Sequence, residues 1–546
     1  MKKNNFIAVV MCLLFVFLPA GIFSNEMISL TSMGNDKWYS NCVFYELFVR
    51  SFKDSDGDRY GDFNGVTSKL DYLKSLGIGA IWLMPIHDSD EHTNNYDPTD
   101  LMAVDPTYGT MEDFRNLLEE SHKRGIRIIL DLVLNHTSSK HPFFIDASKN
   151  KNSPYRDWYI FRDKKPEGAW GKYWRECETG WYYAYFVASK PDMNFHNPKV
   201  IDYYKQVVKF WLDMGVDGFR YDAVTMLVEN GENALKHQPE SFAVFRELRA
   251  FMDENYPERD VFTVAEAEPE YTQYLGNGND TFHAVFNFKY NNTIIRTVKN
   301  SKPYTDKGVS MIETIAESYA KDLKGKIGGF YGTLLSSHDS YGGNRPFQQF
   351  NRDVGKTKLA GAVYLTLPGI PFIYYGEEIG MDTYTTSKSD RWLRTCMTWE
   401  GNEVKNNGFG TADKLWNHLN AGNAEENDKF NVAAEEKDPN SILNQYKSLV
   451  KARNENSALR FGDFLTLKTD NESVVAYLRK NAENEVIVVH NFANKSVPVT
   501  VTLAGISVIG GNVQDVLGSS VKIKMNKKDM KLTKLAPYQS MILKVK

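Results

Sequence analysis

Val216-Asp217-Gly218-Phe219-Arg220-Tyr221-Asp222-Ala223 reads as a short buried strand that ends in charge. Val216, Phe219 and Tyr221 suit a β environment, while Arg220 and Asp222, two residues apart, lie on the same face. An arginine beside a carboxylate favours the ionised form, which a nucleophile or a transition-state stabiliser needs. The same eight residues also fit an ion pair that only holds structure. Immediately upstream, Val207-Val208-Lys209-Phe210-Trp211-Leu212 has a helical pattern that stops at Gly215.

This unit of helix, glycine, buried strand and polar end recurs. Val66, Leu70, Leu73 and Leu76 close on Gly77 and feed the strand Ala80 to Met84. Thr110 and Asp113 form a capping box for a helix that stops at Gly125 and feeds Ile126 to Leu134. Helix 240–254 precedes strand 261–266, and helix 353–367 precedes strand 370–375. With the apolar run Cys42 to Val49 and weaker strands at 281–288 and 330–337, eight strands are expected. That count predicts an α/β fold, a closed (β/α)8 barrel rather than an open doubly wound sheet, and no G-x-G-x-x-G follows the first strand.

Between the third strand and the third helix, residues 136–197 are too long for a loop and are read as an inserted subdomain rich in Trp and Tyr. The barrel then occupies 38–135 and 198–455. From 456 to 546 the pattern alternates, with runs at Val474 to Leu478, Val486 to Phe492 and Val497 to Leu503, and predicts a C-terminal antiparallel β-sandwich domain.

The formal charge of −4 and the absence of Lys/Arg blocks exclude a nucleic-acid partner. An aromatic content of 13% points to a ligand bound on flat faces, as sugars are. Lys2 and Lys3, an apolar run from Phe6 to Phe23 and polar Ser24-Asn25-Glu26 have the layout of a signal peptide, assigned to residues 1–25, with an uncleaved anchor as the alternative. The expected protein is secreted, periplasmic or at the cell surface, monomeric, and without an integral membrane domain after cleavage. Cys42, Cys177 and Cys396 would remain, with no disulfide framework.

Asp54-Ser55-Asp56-Gly57-Asp58-Arg59-Tyr60-Gly61-Asp62 places carboxylates at relative positions 1, 3, 5 and 9 and a carbonyl at 7, the oxygen ladder of a calcium loop. Arg59 and Gly65 at positions 6 and 12 rule out an EF-hand. Ca²⁺ held by Asp54, Asp56, Asp58, Tyr60 and Asp62 is the expectation, against a merely solvated acidic turn.

Four strand ends carry chemistry: Asp131 to His136, Arg220 with Asp222, Val264-Ala265-Glu266, and Ser336-Ser337-His338-Asp339. With Pro191-Asp192-Met193-Asn194, these blocks resemble, in order, those of the α-amylase family of glycoside hydrolases. The resemblance implies Asp222 as nucleophile, Glu266 as general acid/base and Asp339 as the carboxylate that stabilises the transition state. It further implies that Arg220, His136 and His338 hold the reacting sugar and that Tyr96 stacks under it. Glu266 ends an apolar strand whereas Asp222 has Arg220, so their environments are expected to separate an acid from an anion.

Departures bear on specificity. The family's His two residues before the stacking tyrosine is Asn94 here, and the acidic loop resembles that of oligo-1,6-glucosidase-like members. Ala223 resembles α-1,4-acting members, where 1,6-acting ones tend to have Val. The leading reading is an endo-acting α-1,4-glucan hydrolase. Its rivals are an oligo-α-1,6-glucosidase or transglycosylase of the same family and a non-enzymatic carbohydrate-binding homologue.

Overall fold

The computed structural model describes residues 27–30 and 37–545, apart from 91, 93, 269–271, 277–279, 307, 325, 327–328, 341–342, 384–389, 420–423, 504–511 and 527. The signal-peptide reading of residues 1–25 lies outside the described residues.

Eight parallel strands close into a barrel: Phe44–Leu47, Ala80–Leu83, Arg127–Leu132, Gly218–Tyr221, Phe262–Ala265, Ala284–Phe286, Phe330–Thr333 and Ile370–Tyr374. Each pairs with the next, and the last returns to the first through Phe44 opposite Phe372. Seven of the eight are buried along their whole length, because helices cover the outside and side chains fill the inside. That is why these segments read as continuous apolar runs rather than alternating ones.

The helix before the fourth strand shows how the repeat is punctuated. Helix Pro198–Met214 starts on Asn197, whose side chain accepts from the Lys199 N–H, and buries Tyr204, Val207, Val208, Trp211 and Leu212. It ends at Gly215, where φ is 118°, a conformation that costs an L-residue a Cβ clash. Gly218 opens the strand because a Cβ there would lie 2.1 Å from the Phe262 carbonyl oxygen. The expected Thr110–Asp113 capping box is present on helix Met111–Lys123.

After the third strand the chain leaves the barrel to form helix Pro142–Lys149 and a three-stranded sheet, in the order Phe161–Arg162, Gly180–Tyr183, Trp174–Cys177. Backbone bridges from His136 to Asp192 and from Tyr159 to Met193 close the insert on itself, and the Met193 N–H donates to the Asn135 carbonyl at 2.8 Å, which pins it to the barrel rim. Tyr159, Trp174 and Tyr183 are buried in this unit, so part of its aromatic content is its own core.

The C-terminal domain has a five-stranded and a three-stranded antiparallel sheet, and a separate apolar cluster that includes Val489, Val501, Leu532 and Leu543. Its first strand is Asp463–Leu467, preceded by the short helix Ser457–Phe461. Arg479, fully buried, ties the domain to the barrel by donating to the Thr366 carbonyl at 2.8 Å. None of the described helices is long and apolar enough to cross a membrane.

Candidate active site

The centre of the barrel mouth is one guanidinium among three carboxylates. Arg220 lies opposite Asp131 in the strand register, and its Nη1 donates to both Asp131 oxygens at 2.8 and 2.9 Å and to Asp222 Oδ1 at 2.8 Å. Its Nη2 donates to Glu266 Oε2. The side chain is 1% exposed and lies 5.1 Å from the Trp82 ring. Asp222 and Glu266 are held in place by backbone bonds that continue the strand ladder, from Asp222 N–H to the Leu132 carbonyl and from Glu266 N–H to the Tyr221 carbonyl.

Asp339 belongs to a second cationic network. His338 Nδ1 donates to Glu46 Oε1 at 2.6 Å, and its Nε2 faces Tyr96 Oη at 2.8 Å and Asp339 Oδ2 at 3.2 Å. Arg394 donates to the His338 carbonyl and to Asp339 Oδ1, each at 3.2 Å. Tyr96 joins the two networks by donating to Asp131 Oδ2 at 2.8 Å, while its ring stacks on His338 with centroids 5.5 Å apart.

These contacts set the charges. Burial pushes the His338 imidazole down, but Asp339 and Glu46 outweigh it and raise it to about 10, so it is an imidazolium at neutral pH. Burial pushes Asp339 up, and the His338 and Arg394 charges reverse that to a net lowering, so it is an anion. Burial raises Asp222 to about 8 in spite of Arg220, with Glu266, Asp131 and Asp339 adding to the rise. This differs from the expected arrangement in which Arg220 serves Asp222 alone. Arg220 touches both carboxyls, so its charge is divided between Asp222 and Glu266.

The site opens into a cavity of about 570 Å³. Asp222, Glu266 and Asp339 line it with Tyr96, His136, Ala223 and Phe186. His136 is neutral, its imidazole lowered to about 3 by burial, and its Nε2 meets the Tyr96 carbonyl at 2.7 Å. It therefore positions the Tyr96 backbone as well as bordering the cavity. Ala223 sits in the left-handed region, with φ at 48°, and its N–H reaches Glu266 Oε2 at 3.4 Å. Phe186 is 38% exposed, although its ring meets His136 edge-on.

In the acidic loop, Asp54, Asp56 and Asp58 each bring one carboxylate oxygen within 4.8 Å of the others. Burial raises the Asp54 and Asp58 carboxyls, and the neighbouring acids add to the rise. Asp62 is used differently. Its carboxylate accepts from Ser55 N–H and Oγ and caps helix Phe63–Ser68 through the Gly65 N–H.

The structure brings all seven expected barrel residues, Tyr96, His136, Arg220, Asp222, Glu266, His338 and Asp339, to one mouth. Sequence reasoning did not assign site roles to Asp131, Glu46 or Arg394. Glu46 and Asp131 were each marked by standing as the single carboxylate inside an apolar strand, whereas Arg394 sits in an irregular segment with no pattern to expose it.

A family model described as alpha amylase, catalytic domain, matches residues 46–462, and one described as maltogenic amylase, C-terminal domain, matches 464–542. Alpha-amylase 3 of Dictyoglomus thermophilum is 41% identical over 463 residues, covering 84% of this chain and 86% of its own. An oligo-1,6-glucosidase of Parageobacillus thermoglucosidasius is 31% identical over 532 residues, covering 84% and 91%. The crystal structure of an α-amylase from H. orenii superposes with a TM-score of 0.77 at 32% identity, covering 92% of this chain and 99% of that one.

Proposed function

The chain belongs to the α-amylase family of glycoside hydrolases, and from that premise we propose that it is a retaining hydrolase that cuts internal α-1,4 links of starch, glycogen or maltodextrins. The observation that carries this reading is Arg220 donating to Asp222 from one terminal nitrogen and to Glu266 from the other. Two carboxyls on one guanidinium stand side by side. That suits a double displacement through a covalent intermediate rather than the wider spacing that admits a water.

In this mechanism Asp222 attacks the anomeric carbon while Glu266 gives a proton to the leaving oxygen. This division of roles needs the proton on Glu266 and the anion on Asp222, and the bond from Arg220 favours that anion. Asp339, held anionic by His338 and Arg394, faces the positive charge that develops on the ring. Water follows, with Glu266 now accepting the proton.

The α-1,4 preference rests on Ala223, and internal cutting on a second cavity of about 680 Å³ that shares Asn94, Asp390 and Arg394 with the first. The loop trio Asp54, Asp56 and Asp58 offers the hard oxygen donors that Ca²⁺ takes, with the Tyr60 carbonyl and Asp62 adjacent in sequence. Bound Ca²⁺ would neutralise the three like charges and stiffen the loop. The signal-peptide layout read from residues 1–25 supports a secreted, periplasmic or cell-surface location.

Purified protein given end-blocked maltoheptaose, isomaltose and soluble starch, with product anomers followed by NMR, tests the reading. Cleavage of the blocked substrate to α-anomers is expected. Release of β-anomers, or attack on isomaltose alone, overturns it.

A further inference from the structure

The outward face of the three-stranded sheet in the C-terminal domain is rich in lysine. From 456 to 546 the sequence holds thirteen Lys or Arg against seven Asp or Glu, in a chain whose formal charge is −4. Strand Asp529–Leu535 runs through the middle of the sheet, between Val497–Thr502 and Ile523–Met525. Val499, Val501, Met530 and Leu532 turn inward to the domain's apolar cluster, so alternation turns Thr500, Lys524 and Lys531 outward. Lys522, Lys524, Lys531 and Lys534 are all exposed.

The register makes this placement costly. Lys524 stands directly opposite Lys531, and like charges so placed repel across about 4.5–5.5 Å. Among the described residues, none of the four lysines forms an ion pair, whereas Lys123, Lys205, Lys209 and Lys429 on helices before residue 456 pair with Glu120, Glu247, Asp213 and Glu425. Lys531 feels Asp470 at longer range, and the Asp470 carboxylate already accepts from the Thr500 N–H at 2.7 Å.

Lysines on an edge strand block pairing with a foreign sheet, which accounts for Lys522 and Lys524 at the edge strand Ile523–Met525. It does not account for Lys531, whose strand is paired on both sides. A repulsion kept at the centre of a sheet calls for a counter-charge from outside the chain. The shape of the array indicates which kind. Lys522 and Lys524 lie about 7 Å apart along one strand, Lys531 is across from them and Lys534 lies beyond. The ammonium groups therefore form two rows on a broad face, which matches a plane of anionic headgroups better than a single extended polymer. Among the described residues of this face no large apolar side chain is exposed, so contact would be by charge at the headgroups, without insertion. The alternate positions also explain why no Lys/Arg block marks this surface in the sequence.

We propose that the outer face of this sheet is a docking surface for an anionic phospholipid bilayer, with Lys522, Lys524, Lys531 and Lys534 as its contacts. The proposal concerns where the protein rests, not which bond it cuts, and is independent of the α-1,4 reading.

Co-sedimentation with vesicles tests it, using the chain from Glu26 onward, which holds every described residue and lacks the apolar run at 6–23. The protein is expected to bind vesicles of equimolar phosphatidylglycerol and phosphatidylcholine at low salt, to ignore pure phosphatidylcholine, and to be released at about 1 M salt, where charges are screened within about 3 Å. The triple variant Lys522→Gln, Lys524→Gln, Lys531→Gln should lose on the order of a hundredfold in partitioning. The triple variant Lys123→Gln, Lys205→Gln, Lys209→Gln makes the same change of charge on barrel helices and should stay within about twofold of wild type. The sheet variant should melt no lower than wild type, since it removes the Lys524–Lys531 repulsion. A clearly lower melt would make these lysines structural and overturn the proposal. So would no binding to the anionic vesicles, an equal loss in the barrel variant, or tighter binding to a single-stranded oligonucleotide than to the vesicles.

Discussion

His338 on the seventh strand end donates to Glu46 on the first at 2.6 Å, with the Glu46 side chain completely buried. The bond crosses the barrel closure, where the last strand returns to the first, and adds to the larger effect of Asp339 in keeping His338 charged against burial. A histidine whose folded value is raised stabilises the fold fully below its unfolded value, about 6.5, and loses that contribution as pH rises through about 10. Glu46→Gln should therefore cost about 3–5 kcal/mol near pH 6, as breaking a buried pair does. The gap from wild type should narrow steadily toward pH 10 in urea denaturation. A gap independent of pH would mean that His338 is neutral in the native protein.

Asp222→Asn should reduce kcat/KM on blocked maltoheptaose by on the order of 10⁴-fold, as loss of a nucleophile does. Glu266→Gln should lose about 10²–10⁴-fold on that substrate, the value of a general acid. It should lose far less on 2,4-dinitrophenyl α-glucoside, whose leaving group needs no proton. Equal losses on the two substrates would move the acid role away from Glu266.

Calcium at Asp54, Asp56 and Asp58 would bind the native state only and so add stability by mass action, about 2.7 kcal/mol at a hundredfold excess over Kd. EDTA should lower the melting temperature and added Ca²⁺ restore it. Asp56→Ala, which removes an exposed carboxylate of the trio, should melt near the EDTA value and ignore both additions. A wild type indifferent to EDTA would leave the trio a solvated acidic turn.

The barrel was legible because its punctuation is local. Gly215 stops one helix, Thr110 and Asp113 start another, and buried parallel strands announce themselves as apolar runs. The catalytic trio was legible for a related reason, that each member ends such a run. What could not be read is how one cation is divided. The pairing of Arg220 with Glu266 as well as Asp222 depends on strand register, which no single segment encodes.

Ala223 stands out in the sequence for its side chain and in the structure for its backbone. Its φ of 48° places Cβ against the following carbonyl, a cost of roughly 1–2 kcal/mol for an L-residue. The strain follows directly on Asp222 and turns the chain into the 3₁₀ turn Val224–Met226, whose Thr225 and Met226 border the cavity. Ala223→Gly should relieve it and raise stability by up to about 1 kcal/mol. Ala223→Val, branched at Cβ, should lower stability by about 1–2 kcal/mol and put two methyl groups beside Glu266. If the pocket wall at this position sets linkage preference, the Val variant should lose more activity on blocked maltoheptaose than on isomaltose. Denaturant melts and the ratio of the two rates check the two halves separately: unchanged stability would remove the strain, and an unchanged ratio would remove Ala223 from specificity.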